Sequence, residues 1–266
     1  MDIKDQEKAA VGRHVTEARE HAVMWEESLK ALLECFRIVD TAKLKGANKV
    51  RFGLLLTAWN HLMASYDLAV RGYFGPALAL LRMGRDSYLA AWYLVAEPKE
   101  WRKFAYKKYQ AERFEARKMA NSIRSFTLKY IESQNNKTKQ EIKQEKQEFK
   151  KVFDGFFKHT RVLNDFNHVN GRMLSLAFVD NRPKGSGSSY WVGPRADPAA
   201  FGGVAFLAAL ILSYQATAMS VLYDLMQIKE LAALQDLETR ILNYMESQRK
   251  FPSWKKRTAA EERGGQ

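Results

Sequence analysis

From position 16 to 39, Trp25, Leu29, Leu32, Phe36 and Val39 recur every three or four residues, the period of a helix that buries one face. The residues before them are polar and predict a frayed N-terminus. Past a polar break at Lys43-Leu44-Lys45-Gly46-Ala47, a second helix is predicted over 48–70, and Gly72-Tyr73-Phe74-Gly75 turns the chain. Pro76 falls in the first turn of a third helix, where a missing N–H costs nothing. That helix ends by 96, ahead of Pro98. Its apolar residues (Leu78, Leu81, Met83, Tyr88, Leu89, Trp92 and others) occupy nearly the whole circumference, so it is expected at the centre of the fold.

After Pro98 the texture changes. Between 99 and 158 there are 17 Lys and Arg against 8 Asp and Glu, with aromatic residues interleaved. Apolar residues vanish at Gln134-Asn135-Asn136-Lys137-Thr138, the expected tip of a helical hairpin spanning about 101–158. A further helix is predicted over 160–179, an irregular segment over 180–197, and helix again over 198–248 with a break near Lys229. The tail, 249–266, carries Lys255-Lys256-Arg257 and is expected to be disordered. No run alternates at period two long enough to make a strand. The pattern predicts an all-α fold: one domain over 1–248, a bundle of six or seven helices with a protruding basic helical hairpin.

Composition narrows the classes. A chain of 266 residues with 46% hydrophobic and 27% charged residues can build a core, which excludes wholesale disorder. The formal charge of +13 favours an anionic partner, RNA or another nucleic acid, or else an acidic protein. One cysteine, Cys35, excludes an internal disulfide and a multi-cysteine zinc site. It reads as a small core filler in a reducing compartment. The charged N-terminus shows no secretion signal, so the expected location is cytoplasmic. The stretch 198–223 lacks charge and is long enough to cross a bilayer. Ser213, Tyr214, Gln215, Thr217 and Ser220 interrupt it, so a buried core helix and no membrane span are expected. No cofactor is implied. No metal site is expected either, since the paired Glu-x-x-His motifs of di-iron bundles are absent. His14, Glu17 and His21 share a face near the N-terminus and are read as solvated, and His61 as a core or boundary residue.

Arg82 and Asp86 stand four residues apart on the otherwise apolar third helix. Buried charges are costly unless paired, so the pair marks either a binding site or an ion pair that fixes helix register. Arg85, beside them, is expected to reach solvent. The run Leu80-Leu81-Arg82-Met83-Gly84-Arg85-Asp86 and the later Trp92-Tyr93-Leu94-Val95-Ala96-Glu97-Pro98 resemble a family of uncharacterised all-helical bacterial proteins. Its members carry Leu-Arg-x3-Glu in a core helix, Tyr-Leu before a proline, and a later histidine followed by a glycine-containing loop. Arg82 and Pro98 match, Asp86 replaces the glutamate, and His168 falls where the later histidine stands. The resemblance spans about 50–225 and implies a helical bundle in an intracellular bacterial protein, with no assigned activity.

On the following helix, Arg161, Asp165, His168 and Arg172 share one stripe, with Leu163, Phe166 and Met173 opposite. Arg161-x6-His168 resembles the Arg-x4-6-His signature of the higher eukaryote and prokaryote nucleotide-binding (HEPN) ribonucleases. That resemblance implies metal-independent RNA cleavage with histidine as acid and base and arginine steadying the phosphate, usually across a homodimer. Val162 departs from the polar residue preferred there. In the irregular segment, Arg182, Lys184, Trp191 and Arg195 are placed to clasp an anionic ligand, while Gly185-Ser186-Gly187-Ser188-Ser189 lacks the order of a phosphate loop. Two functions stay open: a binding protein for nucleic acid or an acidic protein partner, with an Arg82, Asp86 and His168 polar site, or a HEPN-like ribonuclease. A role in anti-phage defence is compatible with both.

Overall fold

The computed structural model describes residues 2–105, 116–134, 137–160, 163, 178–179, 189–190, 194–226 and 232–249. These form helices α1 (Ile3–Glu17), α2 (Arg19–Arg37), α3 (Gly46–Val70), α4 (Phe74–Ala96), α5 (Trp101–Ala105), α6 (Ala116–Glu132), α7 (Lys139–Thr160), α8 (Pro198–Met226) and α9 (Ala232–Arg249). The fold is all-α, as expected. Two short 3-10 turns, Thr41–Lys43 and Pro98–Glu100, precede α3 and α5. A two-residue antiparallel pairing joins β1 (Phe178–Val179) to β2 (Ser189–Tyr190), with Phe178 opposite Tyr190. Phe178 and Val179, expected at the end of a helix, are in this strand pairing instead.

The N-terminus is the clearest correction. It is not frayed: α1 is helical from Ile3, and Ala10, His14 and Ala18 lie on its buried side at i, i+4 and i+8. This face is built from two alanines and an imidazole, so it carries no conventional apolar signal. His14 is fully buried, its ring stacked on Phe201 at 4.9 Å, and not solvated as its polar neighbourhood suggested.

Helices α3 and α4 form the central pair. Gly84 is where their backbones approach, since a Cβ there would sit 3.3 Å from Ala58 O. Their connection turns at Gly72, whose φ of +90° favours glycine. Met83, expected in the core, is instead 46% exposed on the outer side of α4. α8 packs against α2, α3, α4 and α9. Phe201, Ala205, Ala208, Ile211, Leu212, Met219 and Tyr223 are buried along it. Its 27-residue stretch Pro198–Asp224 contains an 18-residue window with a mean hydropathy of 1.7 and is long and apolar enough to cross a membrane.

The α6–α7 hairpin is tied into this core rather than attached only at its base. Met119 and Ile123 of α6 are buried, and the helix lies along α4. From α7, Phe153 and Phe156 enter an aromatic seam with Tyr88 and Trp92 of α4 and Tyr214 of α8; Phe156 and Tyr214 approach to 4.4 Å. The start of α7 carries a reciprocal cap. Thr138 Oγ1 accepts from the Glu141 N–H (3.2 Å) while Glu141 accepts from the Thr138 N–H (2.7 Å).

Candidate functional site

Arg82, Arg85 and Asp86 lie together on α4, facing the end of α7. The Arg82–Asp86 pair forms at 3.6 Å, Nε to Oδ2, with side chains 21% and 37% exposed. The pair therefore sits at the boundary of the core. Arg85, expected to reach solvent, is the buried member at 3% exposure. Its Nε and Nη2 donate to Asp86 Oδ1 at 2.9 and 2.8 Å, and its Nη1 donates to the Thr160 carbonyl at 2.9 Å. The helical row explains the reversal. Arg85 follows Leu78 and Leu81 and precedes Tyr88 and Leu89 on the buried side, whereas Arg82 and Asp86 lie one step around the helix. The cluster holds two guanidinium groups and one carboxylate at the end of α7.

Arg195, the one member of the proposed loop clasp that is described, is occupied in the fold. Its N–H donates to Gly72 O (3.1 Å), and its guanidinium pairs with Asp197 at 3.2 Å. Arg161, His168, Arg172, Arg182, Lys184 and Trp191, together with Asp165, lie outside the described residues, as does the tail over 250–266. Among the described residues no group of three or more His, Cys, Asp or Glu is arranged to hold a metal ion. Cys35 is buried, and that burial pushes its thiol pKa up.

Sequence reading missed two buried basic groups besides Arg85. His14 donates from Nδ1 to Val70 O (2.8 Å) and accepts at Nε2 from the Asp197 N–H (3.0 Å), which fixes a neutral tautomer. Burial pushes its pKa down. Arg51 is 6% exposed and falls in the stripe Arg51, Leu55, Ala58, Leu62, Ser65 and Ala69. A charge at spacing i, i+4, i+7 within an apolar row was the readable signal.

The largest charged feature is the outer surface of the hairpin. Arg117, Lys118, Lys129, Lys139, Lys143, Lys150, Lys151 and Lys158 are exposed. None of these eight cations makes an ion pair with a described carboxylate, unlike Arg124 with Asp154, Lys137 with Glu145 and Lys146 with Glu132. Tyr130 is 59% and Phe126 37% exposed on α6. At 100° per residue, Lys118, Ser122, Phe126 and Lys129 occupy one arc of about 80°, and Lys139, Lys143 and Lys150 one of about 40° on α7.

Residues 48–175 match a family of unknown function (DUF5677). The match covers α3 to α7 and so includes Arg51, the Arg82, Arg85 and Asp86 cluster and the hairpin. It agrees with the resemblance to an uncharacterised helical family read from the α4 motif. A HEPN similarity is not found. No curated protein and no solved structure matches the chain.

Proposed function

We propose that the protein is a cytoplasmic binding protein that holds single-stranded nucleic acid, RNA in particular, along the outer face of the α6–α7 hairpin. The observation that carries this reading is the set of eight exposed cations that have no carboxylate partner among the described residues. A solvated helix face held by i, i+4 pairs would use its carboxylates to neutralise its lysines; here most lysines are left over. Exposed Phe126 and Tyr130 add flat apolar faces of the kind on which unpaired bases stack. Residues 1–248 are taken as one domain, with α8 as a core helix rather than a membrane span, a reading supported by the burial of α8 against α2, α3 and α4.

The test is fluorescence anisotropy with a labelled oligouridylate across a salt series. Contact with four or five phosphates predicts a slope of log K on log salt of about −3 for a single strand. Reversing Lys139, Lys143 and Lys150 to Glu should shallow that slope by about 2, and Tyr130→Ala should weaken binding about tenfold at every salt concentration. Absence of binding at low salt refutes the reading and directs the search to an acidic protein partner. A HEPN-like ribonuclease, with or without a role in anti-phage defence, would need Arg161 and His168. Its separate test is loss of RNA cleavage in His168→Ala with the fold retained.

A further inference from the structure

A small cavity lies between α3, α4 and α8, with a volume of about 50 Å³ and walls formed by Leu55, Tyr88, Trp92, Val95 and Leu222. Arg51 forms its polar wall. Nη1 of this guanidinium donates to Asn48 Oδ1 at 2.7 Å, and Nη2 donates to the Leu94 carbonyl. Nε is buried and has no acceptor. No carboxylate pairs with Arg51 among the described residues, and burial alone pushes its pKa down. A buried cation is costly unless it is paired. Here two neutral oxygens are supplied and the counter-charge is missing.

We infer that this cavity is a binding site for a small organic monoanion, a short-chain carboxylate whose charged end meets Arg51 and whose alkyl end fills the apolar walls. Size sets the chain length. A water needs about 10–15 Å³ by the same measure, so the cavity takes about three to five non-hydrogen atoms, the size of acetate or propionate. Charge type follows from the walls. With a single cation and one hydroxyl, that of Thr217, in an otherwise apolar lining, most oxygens of a phosphate would go unsatisfied. Among the lining residues Thr217 is exposed and Ala218 half-buried, so the cavity meets the surface along this side of α8. This site is separate from the hairpin and does not depend on its nucleic-acid reading.

Thermal unfolding of the full chain in sodium propionate, with total salt held constant by sodium chloride, tests the assignment. Such a small ligand can bind only weakly, with Kd on the order of 0.1–10 mM. The expected result is a saturable rise in Tm with propionate and none with propionamide, its neutral isostere. Saturation-transfer NMR should show the propionate methyl in contact with the protein. Ala218→Leu, which narrows the mouth and leaves Arg51 in place, should remove both effects, as should Arg51→Gln. If Arg51→Gln does not fold, Ala218→Leu and the NMR contact decide the matter. An equal response to propionamide, no methyl contact in the parent, or an unchanged response in Ala218→Leu overturns the inference.

Discussion

Replacing Arg85 by Met removes a guanidinium and keeps most of the buried stem. The deletion takes away two donors to Asp86 Oδ1 and one to Thr160 O. Thr160 is fully buried at the end of α7, so its carbonyl is left without that donor, at a cost of about 1–3 kcal/mol. Asp86 is more than a third exposed and retains Arg82 at 3.6 Å. Solvent screens its loss to roughly 0.5–1 kcal/mol. Against both stands the desolvation of a guanidinium, which methionine does not incur. The net expectation is a destabilisation of about 2–3 kcal/mol, or a Tm lower by roughly 5–10 °C for a chain of this size.

Urea unfolding followed by far-ultraviolet circular dichroism measures this directly, with the midpoint lowered and the slope unchanged. Hydrogen exchange should locate the effect, with amides near Phe156 and Ile123 losing protection before those of α3. Asp86→Ala supplies the second arm. It leaves the buried guanidinium with the Thr160 carbonyl and no carboxylate at its former 2.8 Å. It should therefore cost at least as much as Arg85→Met, and the double substitution should recover part of the loss. A midpoint for Arg85→Met equivalent to less than about 0.5 kcal/mol would refute the assignment of this cluster as the bolt between α4 and α7.

Three further outcomes follow from the geometry. Gly72→Ala should destabilise by more than about 2 kcal/mol, because φ is +90° and a Cβ would collide with the Arg195 backbone; thermal unfolding within 2 °C of the parent would contradict that. Burial holds the pKa of His14, His21 and His61 below the usual histidine value. The unfolded chain therefore binds more protons below about pH 6.5, so stability should be full at pH 7.5 and decline on acidification. A Tm that is flat or rising between pH 7.5 and 5.5 would reverse the sign of this argument. Cys35, buried and with its pKa pushed up, should react with an aromatic disulfide only as fast as the chain opens. Rapid labelling of the native protein would show the thiol to be accessible.

Punctuation made much of this fold legible. Gly72, Pro76 and Pro98 bracket α3 and α4 to within two residues, and the loss of apolar residues at 134–138 marks the hairpin turn. Lys229, near which a break was expected, lies outside the described residues. What periodicity could not show was an inward face made of residues that do not look apolar. Ala10, His14 and Ala18 dock α1 through small size and ring stacking, which a hydrophobic count passes over. The same blindness attended the charges on α4. Two arginines and an aspartate were visible, but which guanidinium turned inward depended on one residue of helical phase, and Arg85 took the buried row. Arg51 sat in an apolar row that was equally readable, and its charge went unremarked there.

The buried donors share a pattern that separates scaffold from chemistry. The last four carbonyls of a helix have no partner within it, and a helix end inside a core must find donors elsewhere. Among the described residues, four helix ends receive a buried side chain. Tyr223 donates to Cys35 O near the end of α2, and His14 to Val70 O at the end of α3. Arg51 donates to Leu94 O in the last turn of α4, and Arg85 to Thr160 O at the end of α7. Cationic donors at these carbonyls also meet the negative end of the helix dipole. Burial of basic residues is thus first a consequence of burying helix ends, and needs no ligand to explain it. The test for function is what remains once the carbonyl has been served. His14 has both ring nitrogens engaged, and Arg85 spends its other donors on Asp86. Arg51 alone among these four keeps a buried N–H with no acceptor, and it is Arg51 that forms a cavity wall. A charge held in place by structure and left short of a partner is where a small anion gains most by binding.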